Sequence, residues 1–146
     1  MIVFENVNKV FDELVVLRDL DLHIREGEIL GIVGPSGVGK STVLKLITGI
    51  VAPDGGVVRV TGGPLAYVFQ EPRLLPWRTA RDNVAVALRA RGMEKTAARD
   101  RADQWLRRVG LEGFEGYHPA ELSGGMAQRV SIARAFAIEP RILLLD

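Results

Sequence analysis

One nonapeptide constrains this chain more than anything else in it. Gly34-Pro35-Ser36-Gly37-Val38-Gly39-Lys40-Ser41-Thr42 fits G-x-x-x-x-G-K-[ST], the pattern of a loop that wraps phosphates. Its glycines let the backbone approach phosphate oxygens with no Cβ in the way. The N–H groups of residues 37–42 can then face one anion at the positive end of a helix dipole. Lys40 adds a point charge for the outer phosphates, and the Ser41 hydroxyl can reach Mg²⁺. The flanks have the order that this chemistry needs. Glu28-Ile29-Leu30-Gly31-Ile32-Val33 is short and apolar and reads as a buried strand. Val43, Leu44, Ile47 and Ile50 recur at helical spacing, up to a stop at Pro53-Asp54-Gly55-Gly56. The competing reading is a glycine-rich turn that binds nothing.

Around this unit the pattern predicts strands over residues 2–7 and 20–24, with a turn at residues 10–13, and short strands over 56–61 and 66–69. Residues 70–77 carry two prolines and no period, and read as an extended loop. Thr79 and Asp82 form a helix start signal. A second helix over 96–109 has Ala98, Ala102, Trp105 and Val109 on one side and Gly110 as its stop. A third runs from Ser123 to about Ala137, and Ile142-Leu143-Leu144-Leu145-Asp146 closes the chain as a buried strand ending in an acid. The layout is α/β. A β-rich phosphate-loop core takes residues 1–78 and 138–146, with a helical region over 79–137.

The 146 residues suffice for one domain, and the net charge of +1 gives no argument for nucleic acid. Basic residues gather between positions 78 and 108, nine against four acidic ones. That stretch is either a solvated helical face or a surface near anionic headgroups or an acidic partner. No cysteine is present, so disulfides and thiolate metal sites are excluded. His23 and His118 stand alone and receive no ligand role. No apolar run approaches the ~18 residues that span a bilayer. The expected location is the cytoplasm.

A second candidate site is Leu122-Ser123-Gly124-Gly125-Met126-Ala127-Gln128-Arg129. Ser123 is a good N-cap residue, and two glycines expose the backbone N–H groups that follow. This is either another anion-ready helix start or a plain capped helix. The physical chemistry leaves the two readings level.

Residue identity goes further. Leu-Ser-Gly-Gly-x-x-Gln-Arg at residues 122–129 resembles the signature of ABC-type ATPases. Residues 34–42 resemble the Walker A loop of that family, Gln70 its Q-loop glutamine, and residues 141–146 its Walker B strand. Phe11 stands where the family places an aromatic that stacks on adenine, the other reading being a core position. The resemblance implies a P-loop ATPase fold with an antiparallel β portion and a helical insert, with ATP and Mg²⁺ as cofactors. It implies two domains, expected to be identical, paired head to tail around two ATP molecules. Each ATP would contact the loop of one copy and Ser123, Gly124, Gly125 and Gln128 of the other. Gln70 would sense Mg²⁺ and the attacking water, and Asp146 would hold Mg²⁺ through water. Leu74, Leu75 and Trp77 would form a docking pad for a membrane-spanning permease, unless Leu74 and Trp77 fill the core.

The wording of residues 68–79, Val-Phe-Gln-Glu-Pro-Arg-Leu-Leu-Pro-Trp-Arg-Thr, resembles the ATPase subunits of nitrate, sulfonate and taurine importers. That implies a subunit on the inner face of the membrane, served indirectly by an external solute-binding protein, with no nucleic-acid partner. Family members continue well past the position matching Asp146. The water-polarising glutamate, the following loop and the switch histidine therefore fall outside these residues, and the expectation is a fragment with slow turnover or none. Two rival readings are a soluble ABC ATPase acting on nucleic acid or translation, and a nucleotide-binding module that does not hydrolyse.

Overall fold

A computed structural model describes residues 1–146 as two compact units, Met1–Gly62 and Gly63–Asp146. The first unit is built on an antiparallel sheet of order β2-β1-β3, with β1 at Ile2–Phe11, β2 at Leu14–Ile24 and β3 at Gly55–Val60. Its register pairs Ile2 with both Ile24 and Val60, and Phe4 with both Leu22 and Val58. Leu20, Leu22 and Ile24 are half-buried and alternate with exposed Asp19, Asp21 and His23, so the period of two read from the sequence holds. The ladder is irregular between Phe4 and Val10. There polar side chains take over: Asn8 and Asp19 bond reciprocally, and Asp21 accepts from the Asn6 N–H. Gly56 closes the β1–β3 pair at φ +78, and a Cβ there would stand 2.3 Å from the Asn6 carbonyl oxygen. Helix α1, Lys40–Thr48, supplies buried Val43, Leu46 and Ile47 to this unit, beside Ile2, Phe4 and Val7 from β1.

Three expectations are corrected in this unit. Residues 28–33 form no strand, and Ile29 is 98% and Val33 92% exposed. Apolar composition encodes a wish for burial, but a strand exists only with a neighbour, and no strand pairs with this run. Helix α1 also ends earlier than its apolar period. Gly49 takes the left-handed conformation at φ 72 and turns its N–H back to the Leu46 carbonyl, leaving Ile50 outside the helix and 61% exposed. The turn expected at residues 10–13 is confined to Asp12 and Glu13, because β1 continues through Phe11.

The second unit pairs two short parallel strands, β4 at Leu65–Val68 and β5 at Ile142–Leu145, with three helices, α2 at Ala80–Ala90, α3 at Lys95–Arg108 and α4 at Gly124–Ala137. Their starts follow the sequence: Thr79 caps α2 by accepting from the Asp82 N–H, and Ser123 caps α4 by accepting from that of Met126. Gly110 follows α3 at φ +71. The α3 stripe is the one expected, widened by Leu106, and all of it packs on one core. Ala98, Ala102 and Leu106 are buried, while Trp105 and Val109 are only half-buried. Helix α4 is buried on two sides. Val130, Ala133 and Ala137 join the core of α2 and α3, and Ala135 with Ile132 packs on Ala66, Val68 and Leu143 of the strands. A helix covered twice needs small residues nearly all round, and its sequence supplies alanines. The expected burial of β5 is partial: Leu144 is buried and Leu145 is 65% exposed.

Candidate functional site

In the first unit the candidate site is the turn into α1. Gly37 (φ +81) and Gly39 (φ +104) hold conformations that disfavour side chains, and a Cβ on Gly39 would meet Val16 Cγ1 at 2.8 Å. Gly39 is the N-cap of α1, with no side chain to cap it. The first turn of a helix has N–H groups without intrahelical acceptors, and here no acidic residue stands beside them. The Lys40 ammonium folds over the loop, donating to the carbonyl oxygens of Gly34 (2.8 Å) and Pro35 (2.6 Å). Residues 34–38 are exposed, and Lys40, Ser41 and Thr42 half-buried. The turn thus sets a tethered cation beside an uncapped helix N-terminus, a combination that suits an anion. Phe11 ends β1 in the same unit, 41% exposed, with the Lys9 ammonium 5.0 Å from its ring centroid. That exposure removes the alternative of a core role.

In the second unit, Gln70 and Asp146 follow the carboxyl ends of the adjacent parallel strands β4 and β5. Ligands of open α/β sheets bind at such ends. Asp146 is tied to β4 twice: its N–H donates to the Val68 carbonyl at 3.0 Å, and its Oδ2 accepts from the Tyr67 hydroxyl at 2.7 Å. Burial, then the hydrogen bond to Asp146, pushes the Tyr67 phenol up, so it remains a donor. Gln70 is exposed beyond Phe69.

The start of α4 differs from that of α1. Gly124 and Gly125 have ordinary helical geometry, and a Cβ on either would meet nothing within 4 Å. Neither conformation nor packing within this chain requires glycine there. Gln128 sits one turn on, half-buried, its Nε2 donating to the Phe69 carbonyl at 3.4 Å.

Two side chains near the loop of residues 70–78 escaped the sequence reading. Asn83, fully buried on α2, accepts from the Leu75 N–H at 2.7 Å and donates to the carbonyls of Leu75, Arg78 and Thr79. Arg134 on α4 donates to the carbonyls of Pro72 and Arg73. Side chain–backbone grips have no sequence signature, although an asparagine within an apolar helical stripe is a usable hint. The two readings of the loop divide by residue: Leu74 packs against the helical core, and Trp77 is 71% exposed.

A family model described as ABC transporter matches residues 17–146. This chain belongs to the ABC transporter family. It is 41% identical to the Fe(3+) ions import ATP-binding protein FbpC of Agrobacterium fabrum, over 99% of this chain and 44% of that protein. It is 47% identical to the taurine import ATP-binding protein TauB of Pseudomonas aeruginosa, over 90% of this chain and 52% of that protein. The chain thus spans about half the length of the curated relatives it matches. The dimeric structure of a post-hydrolysis state of the ATP-binding cassette MJ0796, bound to ADP and Pi, covers 100% of it at TM-score 0.90 and 35% identity, with 73% of that chain covered. The fold is therefore that of an ABC cassette, with its antiparallel portion and its helices.

Proposed function

We propose that this chain is the nucleotide-binding part of an ATPase subunit that powers an ABC importer. The observation that carries the reading is the turn into α1, where Lys40 is tethered to the carbonyls of Gly34 and Pro35 at a helix start that no side chain caps. Residues 34–42 would cradle the phosphates of ATP, and Phe11 would stack on adenine. The chemistry is phosphoryl transfer to water, in which positioning and charge stabilisation do most of the work. In this reading residues 1–78 with 138–146 form the core, and residues 79–137 the helical region.

The donor set fits Mg²⁺. No group of three or more histidine, cysteine or carboxylate side chains could cage a metal. Mg²⁺ asks for less, since it keeps several waters and takes one or two carboxylates beside substrate phosphates. Each unit is proposed to supply its own part: the Ser41 hydroxyl in the first, and in the second Asp146, held by Tyr67, with Gln70 orienting water. When bound, the ion neutralises charge on the outer phosphate oxygens.

Ser123, Gly124, Gly125 and Gln128 would face the ATP of a second copy. The open space over the two glycines supports this assignment, because it leaves the backbone approachable from outside. Leu75 and Trp77, with Leu74 anchoring them, would dock on a permease at the cytoplasmic face of the membrane. No helix is long and apolar enough to cross a membrane. The loop wording favours a small anion or sulfonate-like solute, as the relatives named for taurine import do, and those named for Fe(3+) import define the alternative.

Titration with a fluorescent ATP analogue and Mg²⁺ tests the reading. Saturable binding is expected, weakened about 10- to 100-fold by Lys40→Ala, the loss of one charge-assisted contact. Binding that ignores Lys40→Ala would overturn it.

A further inference from the structure

Arg59, Arg81, Arg99 and Arg101 each meet a carboxylate. Arg134 is different. It lies half-buried on α4, and its fork reaches two successive carbonyls of the loop that follows Gln70, Nη2 to Pro72 at 3.0 Å and Nη1 to Arg73 at 3.1 Å. Burial alone pulls its pKa down, with no neighbouring charge contributing. Partial burial of a guanidinium is costly, and the two carbonyl oxygens offset part of that cost by accepting from it. The loop is shaped to the fork. Arg73 sits at φ +44, a left-handed conformation uncommon for a non-glycine residue, and its guanidinium lies 4.6 Å from the Phe69 ring centroid. One turn and a half earlier on α4, Gln128 takes the Phe69 carbonyl.

We propose that Arg134 is the positioning residue of the segment 69–73, clamping it by its backbone to α4, so that Gln70 and the start of α4 move as one body. A planar fork suits this because two parallel N–H groups fix orientation as well as distance, which a lysine ammonium cannot do. The assignment goes beyond the ATPase reading and rests on it only for its consequence: nucleotide-dependent displacement of the α4 start would carry Gln70 and the exposed loop with it.

The absence of cysteine allows a clean test on the whole chain. A nitroxide is attached at Glu71→Cys, beside the gripped carbonyls, or at Gln104→Cys, on the exposed side of α3. Arg134→Ala is expected to raise the mobility of the label at 71 about twofold and to leave the label at 104 unchanged. Arg134→Lys is expected to fall between. Equal loosening at both sites would reduce Arg134 to a packing role and overturn the proposal. So would an unchanged label at 71 in a folded Arg134→Ala chain. If Arg134→Ala does not fold by circular dichroism, Arg134→Lys decides by the same two criteria. Binding of fluorescent ADP is measured in parallel. Its absence in every version would sink the proposed function and leave the mobility result standing.

Discussion

Helices α1 and α4 both begin at glycines, and the glycines answer to different demands. At α1 they shape the chain itself: Gly39 is left-handed, and Val16 leaves no space for a Cβ. At α4 a serine oxygen makes the cap, while Gly124 and Gly125 are helical residues facing open space. Helix α3 supplies a reference, because its start is filled by an anion of its own. The Glu94 carboxylate accepts from the N–H groups of Thr96 (2.7 Å) and Ala97 (3.4 Å). Helix starts in this molecule therefore do hold negative charge. The lesson is that a glycine's job can be read from what a Cβ would strike. Overlap or a left-handed φ means intramolecular shape, and only a glycine with neither, such as Gly124 or Gly125, is left to be explained from outside.

The largest expected effect sharpens this contrast. Gly39→Ala forces a side chain into a left-handed cap against Val16 and should cost about 2 kcal/mol in thermal or urea unfolding. Ser123→Ala removes a cap bond without touching a glycine, and about 1 kcal/mol is expected by the same measurement. Gly125→Ala should have the opposite sign. Stability unchanged or raised by up to ~1 kcal/mol follows from helix propensity alone, while ATP-dependent self-association, followed by sedimentation, should fall. A loss of stability as large as that of Gly39→Ala would break the comparison.

The smallest effect is acid fraying of α3. Its hydrogen bond from the Thr96 side chain, then that from the Thr96 N–H, holds the Glu94 carboxyl below its ordinary 4.5. A depressed carboxylate stabilises fully above its unfolded value and loses that contribution as pH falls from 4.5 through the folded value. Faster amide exchange at Thr96 and Ala97 in that window, with no such change at the α4 start, is the expected result.

What could be read from the sequence follows the range of the interactions. Thr79, Ser123 and Gly110 act within one turn of themselves, and all three stand where local rules put them. The turn into α1 is local too, so Lys40 and its loop were legible. Residues 28–33 were not, because their composition carries the demand for a partner but no statement of which strand meets it. The early stop of α1 at Gly49 lost to a longer apolar period in the reading, although glycine is the stronger stop. The α3 stripe holds, with Leu106 added to it, and Trp105 stands at its edge: its ring lies 6.0 Å from Phe136 and 4.7 Å from the Arg108 guanidinium. Asn83, Arg134 and Tyr67 act across 8, 61 and 79 residues of sequence, at distances that no short pattern spans.

The buried amide of Asn83 takes only main-chain atoms of its loop, at Leu75, Arg78 and Thr79. It therefore reads the path of the chain and is blind to the residues strung along it. Exposed Trp77 can be exchanged for other side chains while the same three residues stay gripped. The tip can thus acquire a new vocabulary without the helices learning a new grammar. If the tip docks as proposed, substitutions at this one exposed position would suit it to a different surface.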